Sequence, residues 1–142
     1  MSVKAILQTK GASVFSVTRD MSVAEAVALL AANRIGAVPV LDGDTVLGIF
    51  SERDVVYCLA RDGAAALDRP VSDVMTAPVM TINSDCAVLS ALSLMTRRRI
   101  RHLPVVDSGA LSGFISIGDL VKHRIEKIEA EAEAMRSYIQ SA

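Results

Sequence analysis

The sequence predicts an α/β protein of the α+β type: two pseudo-symmetric β-α-β-β-α units packed sheet to sheet, with a long C-terminal helix. Three observations lead there. Residues 35–54, IGAVPVLDGDTVLGIFSERD, return at 100–119 as IRHLPVVDSGALSGFISIGD; Pro39, Gly48, Ser51 and Asp54 each lie 65 positions before Pro104, Gly113, Ser116 and Asp119. A repeat of this length sets the architecture before any local element is assigned. Apolar spacing switches between helix and strand periods in the same order in both copies. No glycine or proline follows Gly118, so nothing in the sequence stops the last helix.

Taken in order, Val14–Val17 reads as a short strand. Ser22 with Glu25 forms a capping box that opens a helix whose apolar face is Val23, Ala26, Val27 and Leu30, fading near Asn33–Gly36. Val38–Leu41 and Val46–Phe50 flank the Asp42-Gly43-Asp44 turn as a hairpin, and a second helix begins at Ser51. The second copy runs as a strand at Val79–Ile82 and a helix with Val88, Ala91, Leu92 and Met95 inward. The hairpin Leu103–Val106 and Leu111–Ile115 follows, then a helix from about Ser116. Short segments, Val3–Leu7 and Val71–Met75, precede the two units, and the join lies at Arg61–Pro70, where Gly63 and Pro70 punctuate an alanine-rich stretch. The expected division is 3–62, 70–125 and a helical extension at 126–142. Each half is small for independent stability, so the halves are expected to share one core.

Bulk properties narrow the function. The 142 residues are 51% hydrophobic, yet no apolar run approaches the ~18 residues of a membrane span, and MSVKAILQTK lacks a signal-peptide core. Cys58 and Cys86 have no metal-type spacing and are not repeat equivalents, which points to reduced thiols and a cytoplasmic setting. A net charge of -1 gives no general pull toward nucleic acid. His102 and His123 are the only histidines, and neither completes a catalytic or metal-binding pattern, so an enzyme is not expected.

The strand–proline pairs VPV and LPV, with the strand-to-helix pairs GIFSERD and GFISIGD, resemble the cystathionine β-synthase (CBS) domain. Two such domains in tandem form a Bateman module. The resemblance covers about Val3–Arg124, and the second half is most similar to stand-alone bacterial modules with no attached enzyme.

Each GIFSERD-type motif places a serine and an aspartate on the first turn of a helix. The free N–H groups and the dipole there favour an anionic or polar ligand. The carboxylates of Asp54 and Asp119 can accept from the vicinal hydroxyls of a ribose, while Ser51 and Ser116 face a phosphate or sugar oxygen. Ser-x-x-Asp is equally a structural cap, and the two roles are compatible. The resemblance implies that these aspartates hold the ribose of an adenosine ligand: AMP, ADP, ATP, NAD(H) or S-adenosylmethionine. The adenine would lie against Ala37, Val38 and Pro39, or His102, Leu103 and Pro104, clamped by aliphatic residues such as Val17, Val38, Ile82 and Leu103. These are also plain core-strand positions. Arg97, Arg98, Arg99, Arg101 and His102 have few charged counterparts in the first half. Arg99, Arg101 and His102 are therefore candidate phosphate contacts of a more cationic second cleft. Arg53 is the local cation of the first cleft, and Gly118 replaces it in the second.

Val121, Ile125, Ile128, Ala132, Met135 and Ile139 step by alternating fours and threes, a heptad seam. It folds back on its own module or packs on a second chain, and a homodimer is the expected outcome. The expected function is a regulatory sensor that binds an adenine nucleotide between its halves and signals to a separate effector protein. The alternative is a ligand-free interaction module acting through homodimerisation.

Overall fold

The computed structural model describes residues 1–11 and 13–141. Its elements are α1 (Val3–Lys10), β1 (Val17–Thr18), α2 (Val23–Asn33), β2 (Ala37–Asp42), β3 (Thr45–Ser51), α3 (Glu52–Asp62), α4 (Val88–Arg98), β4 (His102–Asp107), β5 (Ala110–Ser116) and α5 (Ile117–Ser141). A short 3-10 helix, Gly63–Asp68, fills the join and a second, Val71–Asp73, opens the lead-in segment after it, so the join is more ordered than an alanine-rich linker suggests. Arg69 helps tie it down through a 2.7 Å ion pair with Asp62.

The hairpins repeat closely. β2 pairs antiparallel with β3, and β4 with β5, in the same register 65 positions apart. Even the irregularity recurs, between Val40 and Leu41 in one and Val105 and Val106 in the other. The helix-to-strand turns recur too: Arg34 (φ 51°) and Arg99 (φ 54°) both end their helices in the left-handed region. That conformation costs a non-glycine residue about 1 kcal/mol.

Two expected strands are shorter than their apolar runs. Only Val17–Thr18 of the first joins a sheet, parallel to β2, and only Ile82 of the second bridges β4, at Val105. The residues before them turn away to line clefts.

The buried residues form two clusters, one per sheet, rather than a single shared core. Their membership crosses the repeat boundary. Val3 and Ile6 of α1 belong to the cluster of the second half, and Val71 to that of the first. Backbone bonds make the exchange explicit. Val3 N–H donates to Cys86 O (2.8 Å), and Val88 N–H to Met1 O (3.2 Å). In mirror fashion Val71 N–H donates to Met21 O (2.8 Å), and Val23 N–H to Arg69 O (2.9 Å). Each lead-in segment therefore docks at the start of the other half's first helix, where free N–H groups need partners.

The two strand glycines accommodate this crossing. A Cβ on Gly48 would meet Thr76 O at 2.7 Å and Met75 Sδ at 2.8 Å, and one on Gly113 would meet Leu7 Cδ2 at 2.5 Å. Sequence alone indicates that something approaches these backbones closely. In the structure it is the chain's own lead-in segments.

Candidate functional site

Two clefts of similar size open between the halves. The first, about 420 Å³, is lined by Ser51, Glu52 and Arg53 together with Thr76, Pro78–Met80 and Ile100–His102. The second, about 430 Å³, is lined by Ser116, Asp119, Phe114 and His102 together with Lys10, Ser13–Phe15 and Arg34–Ala37. Both volumes suit small-molecule sites. Each cleft combines the serine–aspartate helix start of one half with the lead-in and helix-to-strand turn of the other. The crossover of the lead-in segments produces this pairing.

It corrects the expected distribution of charge. Arg101 lies in the first cleft beside Arg53, not in the cleft of Asp119. The second cleft takes its cations from the first half, as Lys10 and Arg34. Neither cleft is markedly the more cationic or the smaller.

Both serine–aspartate pairs form reciprocal caps. Ser51 Oγ accepts from Asp54 N–H at 3.4 Å, and Asp54 Oδ2 accepts from Ser51 N–H at 2.9 Å. Ser116 Oγ accepts from Asp119 N–H at 3.1 Å, and Asp119 Oδ2 accepts from Ser116 N–H at 2.8 Å. The difference lies in what reaches each carboxylate from the other half. Thr76 Oγ1 donates to Asp54 Oδ1 at 2.8 Å, so both oxygens are occupied and the residue is only 8% exposed. Lys10 Nζ donates to Asp119 Oδ2 at 2.7 Å, the oxygen that Ser116 already uses. The Asp119 side chain remains 27% exposed and lines its cleft.

Burial pushes the Asp119 carboxyl up, but the Lys10 ammonium and the Ser116 N–H outweigh it and hold it below the usual carboxylate range. Lys10 also donates to Phe114 O at 2.7 Å, which ties the end of α1 to β5. His102 stacks on Phe114, with ring centroids 5.5 Å apart and planes 9° from parallel. Burial, then the nearby Lys10 and Arg101 charges, lower its pKa against the opposing pull of Asp119. This flat pair borders the second cleft, and His102 reaches the first as well.

Of the sequence-predicted residues, Ser51, Arg53, Arg101 and His102 line the first cleft, and Ala37, His102, Ser116 and Asp119 the second. Asp54 lies behind Ser51, engaged by Thr76. Val17, Val38 and Leu103 are fully buried in the two core clusters, and Ile82 packs against one of them. Pro39 and Pro104 are buried in their strands, where Pro39 faces Ile49 and Pro104 faces Phe114. Arg99 is exposed at its helix end, and Gly118 is exposed on the first turn of α5. These eight residues, from Val17 to Gly118, line neither cleft. The sequence reading missed Lys10, Phe15, Arg34 and Thr76. Arg34 carried a signal, as the repeat partner of Arg99, whereas Lys10 and Thr76 reach their sites only through the crossover.

With this geometry in view, the comparisons with known proteins are decisive. The CBS-domain model matches residues 3–61 and 71–126. The chain belongs to the CBS-domain family. A solved CBS-domain protein from Agrobacterium tumefaciens is 45% identical and superposes with a TM-score of 0.83, covering 87% of this chain and 99% of that one. The CBS-domain protein YhcV of Bacillus subtilis is 28% identical over 90% of this chain and 91% of its own length. The structure of CBSX2 in complex with AMP is 26% identical, with a TM-score of 0.71, covering 80% of this chain and 89% of that one. The chain is thus a tandem CBS pair, similar to stand-alone bacterial ones, and CBS domains are typically regulatory and non-catalytic. No helix among the described residues is long and apolar enough to cross a membrane.

Proposed function

We propose that this CBS pair is a sensor of adenine nucleotides, with AMP the best fit, and that the Asp119 cleft is its primary site. One observation carries the reading: Asp119 is the aspartate whose carboxylate opens into a cleft, with no hydrogen bond to Oδ1 among the described residues. That carboxylate accepts from the ribose hydroxyls. Lys10 and Arg34, cations on the same cleft, receive the phosphate, and Phe15, Ala37 and the His102–Phe114 stack offer apolar surface to the base. The AMP complex of CBSX2 supports the ligand class. Binding exchanges the Lys10–Asp119 bond for bonds to ligand, so the state of α1 changes with occupancy. Only this differential contact can shift a conformational balance. The signal passes to a separate effector through a homodimer in a cytoplasmic setting, a location that suits the free thiols of Cys58 and Cys86.

Calorimetry with AMP tests the site. Asp119→Asn keeps the size of the side chain but removes its charge. Affinity should fall roughly fiftyfold, the effect of ~2.3 kcal/mol from charge-assisted hydrogen bonds. Equal AMP affinity in variant and parent would sink the proposal. A second reading is favoured by the fully formed caps at Ser51 and Ser116: an interaction module with empty clefts. It predicts that AMP, ATP, NAD, NADH and S-adenosylmethionine all leave the melting temperature unchanged.

A further inference from the structure

α5 runs far beyond the body of the module. Its Leu120 is fully buried, and His123, Arg124 and Lys127 are half-buried. The seam from Val121 to Ile139 faces away from that contact. Val121 is 42% exposed, Ile125 and Ile128 49%, Met135 60% and Ile139 65%. About five turns of apolar stripe thus stand in water on one helix, which calls for a covering surface.

The heptad assigns Ile125, Ala132 and Ile139 to a positions and Val121, Ile128 and Met135 to d positions. Arg124 and Glu131 then occupy g, and Lys122, Glu129 and Arg136 occupy e. These flanking charges discriminate between orientations. Between two copies running parallel, each g residue faces the e residue five positions on in its partner. Arg124 then meets Glu129, and Glu131 meets Arg136, all attractive and each made twice by symmetry. Between antiparallel copies that pair the same a and d layers, e faces e and g faces g. Lys122 then meets Arg136, Glu129 meets its own copy, and Glu131 meets its own copy, all repulsive. Arg136 currently reaches Glu133 at 3.6 Å, but both side chains are about two-thirds exposed or more, so this pair yields at little cost.

We propose that residues 121–139 of α5 pair with the same segment of a second copy as a parallel two-stranded coiled coil, which holds two CBS pairs head to head. The proposal rests on the homodimeric reading above, but not on nucleotide binding.

Its test uses the full chain without nucleotide. Ile139→Cys, in a Cys86→Ser background, should cross-link to itself on oxidation, because parallel helices bring the two copies of position 139 together. In the antiparallel pairing those positions stand about 27 Å apart, at 1.5 Å per residue. There, Ile139→Cys would cross-link instead with Val121→Cys. Ile128→Glu, an exposed change, should shift the sedimentation mass from dimer to monomer. Glu131→Lys should weaken the dimer about tenfold, and adding Arg136→Glu should restore it. A dimer whose position 139 links only to 121 overturns the parallel arrangement and leaves the homodimer standing. A monomer at all concentrations overturns both, while AMP binding remains a separate measurement.

Discussion

The two clefts share a local motif and differ in one donor. At the first, a threonine hydroxyl of the other half closes the aspartate into the structure; at the second, a lysine ammonium bridges an aspartate that still faces the cleft. The hydroxyl takes Oδ1 and leaves Asp54 fully paired. The ammonium shares Oδ2 with the cap and leaves Oδ1 without a bond among the described residues. Two identical capping boxes therefore carry different roles, because capping consumes only part of a carboxylate's capacity to accept hydrogen bonds. What consumes the rest is set by a segment about 110 residues away in one case and about 20 in the other, as the sequence separations of the two bonds show.

The strongest way to break the comparison is Asp54→Ala. It leaves the Thr76 hydroxyl and the Ser51 N–H without their acceptor and should lower unfolding stability by ~2–3 kcal/mol in urea melts. AMP affinity should change less than twofold. A drop as large as that of the Asp119 variant would show that the two aspartates act alike.

The paired glycines give a smaller effect with a predicted order. An alanine methyl at position 48 strikes a backbone carbonyl in the Ile49–Thr76 bridge, which is held by bonds of 2.8 and 3.0 Å, and should cost ~2 kcal/mol. At position 113 the methyl strikes the end of the Leu7 side chain, which can change rotamer, so ~1 kcal/mol is expected. Equal destabilisation in thermal melts would mean that α1 is as rigidly seated as the Met75–Thr76 segment.

The smallest effect is in pH. The lowered pKa of His102 means that the unfolded chain binds its proton more readily, so stability should fall as pH drops through about 6.5. His102→Gln should flatten that part of the profile, whereas a change at the equivalent Ala37 cannot. The depressed pKa of Asp119 acts lower: its contribution is present above about pH 3.9 and is lost as pH falls further. A His102→Gln profile that matches the parent between pH 7.5 and 5.5 would remove the histidine from this account.

Much of the molecule was legible in one dimension because its signals are local. The repeat offset, the hairpin turns, the caps at Ser51 and Ser116 and the seam of α5 each lie within a few turns of chain or recur at one spacing, so side-chain periodicity reveals them. Val17, Val38 and Leu103 show the limit of that reading. An aliphatic strand residue looks the same whether it faces a ligand or a core, and these three face cores. The exchange of lead-in segments had no local signature at all. Val3–Leu7 precedes the first unit in sequence but fills the second in space, since docking depends on which helix start and which glycine-lined strand lie within reach after the hairpins form. That exchange sends Lys10 to Asp119, Thr76 to Asp54 and Arg101 to the cleft of Ser51. Periodicity along a chain specifies which face of an element is apolar, but only packing between distant elements determines which polar groups meet, and here that meeting distinguishes an open carboxylate from a sealed one.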